Sequence, residues 1–302
     1  MEHVLSNDTW QVGVLPQAGA SLAYARIMRN GEWCDFMRPT PTADCGDALK
    51  CASYVLTPWS NRLRDARFAF AGTTYQLNPS FPDGTAIHGV GRSFAWRVVS
   101  SDATRIEMHF DTRLHSGVNF PFAFKAWVEY RLDGANFSTR MGLTNLDSQP
   151  MPAGFGTHPF IQRTLTGSDD VLAMQIPCDS AYPLVDCMPT GGPQAIPAHL
   201  DFRQLRQVGT DFADDCLTGR QIGESIVLQY GASNTRITHW MDHLYSHVVL
   251  YMPQNQPYIA LEPVTNANDG FNLLAQGDVD HGVFVLAPGC SREAMSGYVV
   301  GK

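Results

Sequence analysis

The chain has 302 residues, of which 44% are hydrophobic and 17% charged, and this composition excludes an intrinsically disordered protein. A formal net charge of −8 argues against nucleic acid and anionic membranes as partners, because both attract clusters of Lys and Arg. No apolar run reaches the roughly 20 residues of a membrane span, and the first residues lack the basic and apolar segments of a signal peptide. We therefore expect a soluble protein, for which a neutral small molecule is a compatible partner.

The first segments of the chain alternate between apolar and polar residues, which predicts β-strands. Residues 10–27 have the pattern of two strands, and residues 68–77 that of a hairpin. Between them, TPWSNRLR predicts a polar loop that carries Asn61 and Arg62. Such loops often hold functional side chains, although a solvated arginine pair explains the segment equally well.

His88 lies between a Pro-Asp-Gly turn and a predicted strand, and is followed by Gly89 and Gly91. Glycines let the backbone approach a ligand closely, but they also simply make turns. The G-x-G spacing lacks the third glycine and the strand-to-helix setting of a dinucleotide fingerprint, so we predict no nucleotide site.

The clearest period-2 segment is residues 122–132, and the same spacing resumes after an Asp-Gly turn in residues 137–143. This pattern predicts a long antiparallel hairpin with one face buried. Beyond it, His158 precedes Pro159 in a segment of small and aromatic residues. A histidine in such surroundings is either a structural residue or, because its pKa lies near neutrality, an acid catalyst.

Residues 167–219 are rich in Pro, Gly and Asp and only weakly periodic, which predicts long connections that carry short strands. Asp211, Asp214 and Asp215 cluster near their end, but the spacing does not fit a calcium-binding loop. A solvated loop or acceptors for sugar hydroxyls are the better interpretations.

Metal sites and disulfides are both disfavoured. His239, His243 and His247 recur every four residues, but their surroundings predict strands, on which they would spread over roughly 27 Å. The seven cysteines are odd in number and form no C-x-x-C pair, which indicates free thiols in a reducing compartment. We predict a cytoplasmic protein without a metal site.

The last motif is built around Glu262. Residues 258–261 predict a buried strand, and Pro263 is expected to end its ladder because proline lacks the amide donor. A carboxylate at the mouth of such a strand is desolvated, which raises its pKa toward that of a general base. The alternative is a strand-end glutamate that faces water. Because helix signals are scarce and neither a repeat nor a linker divides the chain, we predict one all-β domain over residues 1–302.

Several short motifs occur together along the chain. They are TPWSNRL at 57–63, F-x-G-x-x-Y-x-L at 70–77, IHG at 87–89, GTHPF at 156–160, LEPVTNANDGFNL at 261–273 and LAPG at 286–289. With these motifs in order, the chain resembles the aldose 1-epimerase (galactose mutarotase) family. The resemblance implies a large antiparallel β-sandwich, the galactose mutarotase-like supersandwich, with a concave sugar site on one sheet. It also implies a cofactor-independent isomerase that interconverts the α and β anomers of a free monosaccharide.

The resemblance further implies catalytic roles for three residues. Glu262 corresponds to the general base, His158 to the general acid, and His88 to a second histidine that positions the sugar ring oxygen. The base removes the proton of the C1 hydroxyl while the acid protonates the ring oxygen, so this chemistry requires neither a metal nor a cofactor.

The substrate-binding residues follow from the same motifs. Arg62, preceded by Asn61, corresponds to the family arginine that contacts the sugar. Asp214 resembles the aspartate that binds sugar hydroxyls, although Asp215 beside it leaves that assignment open by one residue. Arg92 resembles an arginine of the related hexose-6-phosphate epimerases, so a hexose-6-phosphate 1-epimerase is one alternative function.

Two further alternatives stay open. One is a non-catalytic carbohydrate-binding protein, and the other is a glycoside hydrolase that pairs Glu262 with Asp214 and leaves the histidines without a role. We also expect Trp59 or Trp96 to stack on the sugar ring. The resemblance determines neither the preferred sugar nor the choice between a monomer and a homodimer.

Overall fold

The computed structural model describes residues 2–301, so Met1 and Lys302 of the predicted domain lie outside it. Within that range the chain forms 29 β-strands, several short 3-10 turns and one α-helix, α1, at Gly270–Gln276. The sequence pattern does not predict α1, because seven residues are too few to display a helical period.

The strands are short in most of the chain and follow one another in close succession. Those of the first half are β1 (His3–Ser6), β2 (Trp10–Leu15), β3 (Ser21–Arg29), β4 (Glu32–Asp35), β5 (Val55–Leu56), β6 (Arg62–Leu63), β7 (Arg67–Phe70), β8 (Thr73–Gln76), β9 (Ala86–Ile87), β10 (Arg97–Ser101), β11 (Arg105–Asp111), β12 (Phe124–Asp133), β13 (Asn136–Asn145), β14 (Met151–Ala153) and β15 (Gly156–Thr157). Those of the second half are β16 (Phe160–Gln162), β17 (Leu172–Gln175), β18 (Cys178–Ala181), β19 (Leu184–Val185), β20 (Met188–Pro189), β21 (Gln194–Ala195), β22 (Arg206–Gln207), β23 (Ala213–Arg220), β24 (Ile226–Tyr230), β25 (Thr235–Met241), β26 (His247–Met252), β27 (Tyr258–Val264), β28 (Phe284–Leu286) and β29 (Ser291–Val300).

The largest sheet has nine antiparallel strands in the order β10-β11-β12-β13-β29-β25-β24-β17-β22. It contains the predicted long hairpin, β12 and β13, in which Phe124 pairs with Asn145 and Asp133 pairs with Asn136. Every second residue of β12 from Phe124 to Leu132 is buried. The alternation read from the sequence is thus confirmed as one buried and one solvated face.

A second sheet has eight antiparallel strands in the order β21-β18-β23-β26-β27-β15-β5, with β16 also paired to β27. A third, four-stranded sheet runs β1-β2-β3-β4. One hydrophobic cluster contains Val12 of the four-stranded sheet, Val128 of the nine-stranded sheet and Leu261 of the eight-stranded sheet. Because the sheets share this core, the fold is an antiparallel β-sandwich, as predicted.

β27 differs from its prediction at Pro263. The strand does not end there but continues to Val264, with Pro263 paired to Val248 of β26. On its other side β27 pairs with β16 through Ala260 and with β15 through Val264, and no ladder partner within residues 2–301 faces Pro263 between them. Proline is tolerated where no amide donor is needed, so the interruption between β15 and β16 lets the strand pass through it.

The remaining connections agree with the weak periodicity of the sequence. Residues 167–219 contain β17 to β22 and most of β23, joined by irregular segments, as the prediction of short strands within long connections requires. None of the helices formed by residues 2–301 has the length and apolar character needed to cross a membrane.

Candidate active site

One face of the eight-stranded sheet carries polar side chains. Leu261 of β27 points into the main core, so its neighbour Glu262 points to the opposite face. The strand register places Glu262 beside Val249 and Asp214 beside Tyr251. Directly paired residues of neighbouring strands lie on the same side of a sheet, and so do residues two apart on one strand, such as Val249 and Tyr251 of β26. Glu262 and Asp214 therefore share this face.

A cavity of about 230 Å³ opens on this face. It is smaller than the roughly 300–1,000 Å³ of pockets for drug-sized molecules, and its size suits a ligand of one ring. Six of the seven side chains predicted to form the site meet there. The complete lining is Leu49, Tyr54, Asn61, Arg62, Phe81, Ile87, His88, His158, Asp214, Tyr251 and Glu262.

Glu262 and His158 form a pair deep in the cavity. Glu262 Oε1 lies 3.1 Å from His158 Nε2, and the two side chains are only 2% and 8% exposed. β27 supplies Glu262, whereas His158 lies in the turn between β15 and β16 and donates its backbone amide to the Tyr54 carbonyl at 2.9 Å. Two segments about a hundred residues apart in the chain thus supply the pair.

Burial disfavours the charged form of both partners. It raises the pKa of Glu262 well above its ordinary value, and the neighbouring Asp214 raises it further. Burial also lowers the pKa of His158 to about 3, in the same direction as repulsion by Arg38. Burial therefore favours a neutral carboxyl beside a neutral imidazole, and this pair holds one proton that either partner can carry.

His88 occupies a turn after β9 with unusual backbone geometry. Its φ is +61°, and that of Gly89 is +68°. A Cβ at Gly89 would overlap the carbonyl oxygen of Thr57, so this close approach requires glycine. The His88 amide donates to the Asn61 carbonyl at 2.9 Å, and its ring meets that of His158 edge-on at 5.3 Å. Burial, and then His158, lower the pKa of His88 well below its usual value, which keeps it neutral.

Arg62 and Asp214 form the more open part of the cavity. Arg62 Nη1 lies 4.0 Å from Asp214 Oδ2, and Arg62 Nε donates to Asp83 Oδ2 at 2.9 Å. Asn61 Oδ1 accepts the Arg62 backbone amide at 2.8 Å and so fixes the start of β6. Asp214 lines the cavity and Asp215 does not, because adjacent residues of a strand point to opposite faces.

Arg92 is the one predicted site residue that the structure does not bring to the cavity wall. Its guanidinium donates to the Ile87 carbonyl at 3.4 Å, just before His88 in the chain. Burial lowers the pKa of Arg92 from its ordinary value. Through its hydrogen bond to Ile87, Arg92 contacts the backbone that leads into the His88 turn.

The expectation that Trp59 or Trp96 stacks on a ligand is wrong. Both indoles belong to the main core, with 1% and 2% exposure, and each donates its N–H to a backbone carbonyl. The aromatic side chains of the cavity are instead Tyr54, Phe81 and Tyr251. The sequence pattern does not reveal Tyr54 and Tyr251, because tyrosines within apolar runs carry no signal that separates a cavity wall from a core. Phe81 lies in the turn segment PSFPDG and carries no such signal either.

No group of three or more His, Cys, Asp or Glu side chains within residues 2–301 has an arrangement that could hold a metal ion. His239 lies on β25 and His247 on β26, with His243 in the connection between them. The regular spacing of these histidines therefore reflects two buried strand positions and a loop.

These features define a class of protein, an antiparallel β-sandwich with a one-ring cavity and a buried carboxyl–imidazole pair on one sheet. The sequence model described as aldose 1-epimerase matches residues 3–298. The chain thus belongs to the aldose 1-epimerase family, as its motifs indicated.

The chain has low sequence identity to individual relatives and solved structures. The uncharacterized protein YihR of Escherichia coli strain K12 is 24% identical over 239 residues, which cover 76% of each chain. The fold is similar to that of a galactose mutarotase-like protein from Clostridium acetobutylicum, with a TM-score of 0.86, 18% identity and coverage of 99% of this chain and 94% of that chain. It is also similar to galactose 1-epimerase from Lactobacillus acidophilus NCFM, with a TM-score of 0.77, 17% identity and the same coverage.

Proposed function

We propose that the protein is an aldose 1-epimerase that interconverts the α and β anomers of a free aldose. The observation that carries this proposal is the 3.1 Å separation of Glu262 Oε1 and His158 Nε2 in a cavity of about 230 Å³. Membership of the aldose 1-epimerase family supports an isomerase that acts on a sugar. A carboxyl and an imidazole that hold one proton between them suit a reaction with no net proton change.

The reaction needs two proton transfers. A base takes the proton of the C1 hydroxyl as C1 becomes a carbonyl carbon, and the C1–O5 bond breaks while an acid protonates O5. Rotation about C1–C2 then presents the other face of the aldehyde, and the same steps in reverse close the ring as the opposite anomer. Each positioned group typically contributes about 10²–10⁴-fold to such a rate.

Glu262 is the base and His158 the acid in this proposal. Transfer of the shared proton from Glu262 to His158 produces the carboxylate and imidazolium with which the reaction starts. A sugar hydroxyl that donates to the Glu262 carboxylate favours this ionised form, because it replaces the solvation that burial removed. After each ring opening or closure the pair again holds one proton, so no external proton is needed.

The other lining residues hold the sugar. Neutral His88 lies edge-on to His158 at 5.3 Å, where it can hydrogen-bond the ring oxygen side of the substrate. Arg62, Asp214 and Asn61 offer charged or amide groups to the remaining hydroxyls at the more open part of the cavity. Such contacts orient the ring so that the C1 hydroxyl faces Glu262 and O5 faces His158.

A neutral sugar suits this cavity better than a hexose 6-phosphate. Arg62 is the one cationic side chain among the described lining residues, and it already donates to Asp83 at 2.9 Å and faces Asp214. Asp214 and Glu262 add carboxyl groups, which disfavour a phosphate dianion nearby. A hexose 6-phosphate therefore lacks an unpaired cation among the described residues of the cavity wall.

Polarimetry of freshly dissolved pure anomers tests the proposal. We expect the wild-type protein to accelerate mutarotation of a neutral aldose such as glucose or galactose, and Glu262→Gln to lower kcat at least about 100-fold, because the amide cannot accept the C1 proton. The matched control is Glu293→Gln, the same substitution at an exposed glutamate that pairs with Arg140 on the other sheet. It should leave kcat unchanged.

Each contrary outcome is distinct. Sugar binding by calorimetry without rate enhancement by the wild-type protein would identify a non-catalytic carbohydrate-binding protein. Acceleration limited to glucose 6-phosphate would favour the hexose-6-phosphate epimerase instead. Equal activity of the wild-type protein and Glu262→Gln would remove Glu262 from the mechanism.

A further inference from the structure

Tyr54 contacts both histidines of the cavity. Its ring stacks on the His158 imidazole, with centroids 4.6 Å apart and planes inclined by 19°, and meets the His88 ring edge-on at 5.6 Å. Its backbone carbonyl accepts the His158 amide at 2.9 Å, beside the pairing of β5 with β15. One residue therefore fixes both the backbone and the ring of His158.

The environment of Tyr54 keeps its phenol neutral. The residue lines the cavity but is only 2% exposed. Burial raises the pKa of the phenol well above its ordinary value, and the neighbouring Glu262 raises it further. Tyr54 is therefore a neutral aromatic contact and not a base.

We propose that Tyr54 is a positioning residue for His158, which holds the imidazole by stacking and stabilises its protonated form during turnover. The inference rests on the aldose 1-epimerase function proposed above. A cation is attracted to the face of an aromatic ring, and the attraction is largest where water is excluded. Tyr54 thus favours the ionised pair from which the reaction starts over the neutral pair that burial favours.

The backbone of His158 itself favours the protonated imidazole, but the other side chains around His158 do not supply a lasting stabilisation. Arg38, whose guanidinium lies 3.7 Å above the Phe160 ring, repels an imidazolium at His158. Phe160 lies 4.6 Å from the His158 ring but is tilted by 44°. His88 is neutral and therefore does not attract the imidazolium. Glu262 attracts the imidazolium only until its carboxylate takes the proton of the sugar. Tyr54 is the stacked, uncharged contact that persists throughout.

Two substitutions separate the ring from the hydroxyl. Tyr54→Phe keeps the aromatic face, and Tyr54→Leu removes it while leaving an apolar side chain. In polarimetric assays we expect Tyr54→Phe to retain kcat within about twofold and Tyr54→Leu to lose about tenfold in kcat, with KM within about threefold of wild type. Calorimetric titration with the sugar, which counts competent sites, should give one site per chain in each variant.

A purely structural role predicts a different result, in which Tyr54→Leu lowers the number of competent sites or raises KM and leaves kcat per site unchanged. That result would overturn the assignment, as would equal loss in Tyr54→Phe and Tyr54→Leu. If Tyr54→Leu does not fold, Tyr54→Met replaces it, because methionine fills irregular space and has no aromatic face. An inactive wild-type protein would overturn the proposed function itself, whereas an active one with unaffected variants would overturn only the role of Tyr54.

Discussion

At the scale of single residues, Asp214 depends on a neighbour that the sequence does not associate with it. Cys187 Sγ donates to Asp214 Oδ2 at 3.2 Å from the tip of the β19–β20 hairpin. Burial, and then Asp214, raise the pKa of this thiol to about 12, so it keeps its proton and remains a donor. Asn268 holds the tip in place by donating to the Cys187 carbonyl at 2.8 Å.

Removal of this thiol should weaken sugar binding. We expect Cys187→Ala to raise KM about fivefold, which corresponds to about 1 kcal/mol for one hydrogen bond, with kcat within about twofold. Cys187→Ser keeps a donor and should restore most of the affinity. The comparison variant is Cys34→Ala, at a half-buried thiol on β4, and steady-state polarimetry measures all three. An unchanged KM in Cys187→Ala would show that Asp214 needs no such support.

The sequence predicts the residues of the site that carry their own chemical signal. Glu262 after an apolar run and His158 among aromatics are visible as anomalies, and the structure brings them to 3.1 Å. Tyr54 and Cys187 carry no such signal, because their importance lies in contacts with residues that are distant in the chain. Arg92 shows the opposite case, since an arginine close to a motif does not line the cavity.

At the scale of elements, the turn that carries His88 is held by one carbonyl group. The Thr57 carbonyl accepts the amides of Val90 at 2.8 Å and Gly91 at 3.1 Å, and Gly89 packs directly on it. Any side chain at Gly89 must push this turn away from the strand that leads to Arg62. The geometry of the turn therefore determines where His88 stands.

Gly89→Ala should for this reason cost both stability and activity. A positive φ costs alanine about 1 kcal/mol, and overlap with the Thr57 backbone adds a few kcal/mol more. The matched control is Gly72→Ala in the β7–β8 hairpin, where φ is +78° and nothing lies within 4 Å of the added Cβ. Urea unfolding should separate the two variants, and kcat should fall only in Gly89→Ala. Equal losses of stability would mean that φ alone explains both.

The elements differ in how far the sequence predicts them. The β12–β13 hairpin repeats its period over twenty residues, so the alternation of its residues is enough to assign its buried and solvated faces. α1 and the passage of β27 through Pro263 cannot be assigned in this way, because the first is too short and the second depends on a gap between β15 and β16. Local pattern predicts a strand, whereas its neighbours decide where it ends.

At the scale of the whole molecule, buried histidines make stability depend on pH. His239 is completely buried against Tyr298, with ring centroids 4.2 Å apart and no hydrogen-bond partner for either ring nitrogen within residues 2–301. Burial lowers its pKa to about 3. Below about pH 6.5, His239 therefore binds a proton in the unfolded chain but not in the folded protein. The free energy of unfolding falls as pH decreases from about 6.5 toward 3. Glu262, whose pKa is raised, acts in the opposite sense.

His239→Phe should reduce this loss, since phenylalanine keeps an aromatic ring against Tyr298 without a group to protonate. Between about pH 6.5 and 4 we expect the unfolding free energy of both proteins to fall as pH decreases. The slope of the variant should be smaller than that of wild type by about 1.4 kcal/mol per pH unit, which corresponds to one proton. Urea titrations at several pH values measure the slopes. His199→Phe, at an exposed position, is the control and should match wild type. Parallel curves for His239→Phe and wild type would contradict the expectation.

The arrangement of sheets lay beyond the sequence. Alternation predicts that strands exist and which side is buried, and thus an antiparallel sandwich. It does not say that β29 lies between β13 and β25, because that neighbourhood depends on long-range packing. The resemblance to a family implied a large antiparallel sandwich but no order of its strands.

The place of β29 also has a consequence for biosynthesis. It pairs with β13 on one side and β25 on the other, so the nine-stranded sheet remains in two pieces until residues 291–300 have left the ribosome. Until then β13 and β25 present open edges, which are sites of mispairing between nascent chains. Closure by so distant a partner is entropically slow, so these edges stay exposed until β29 has paired with both strands.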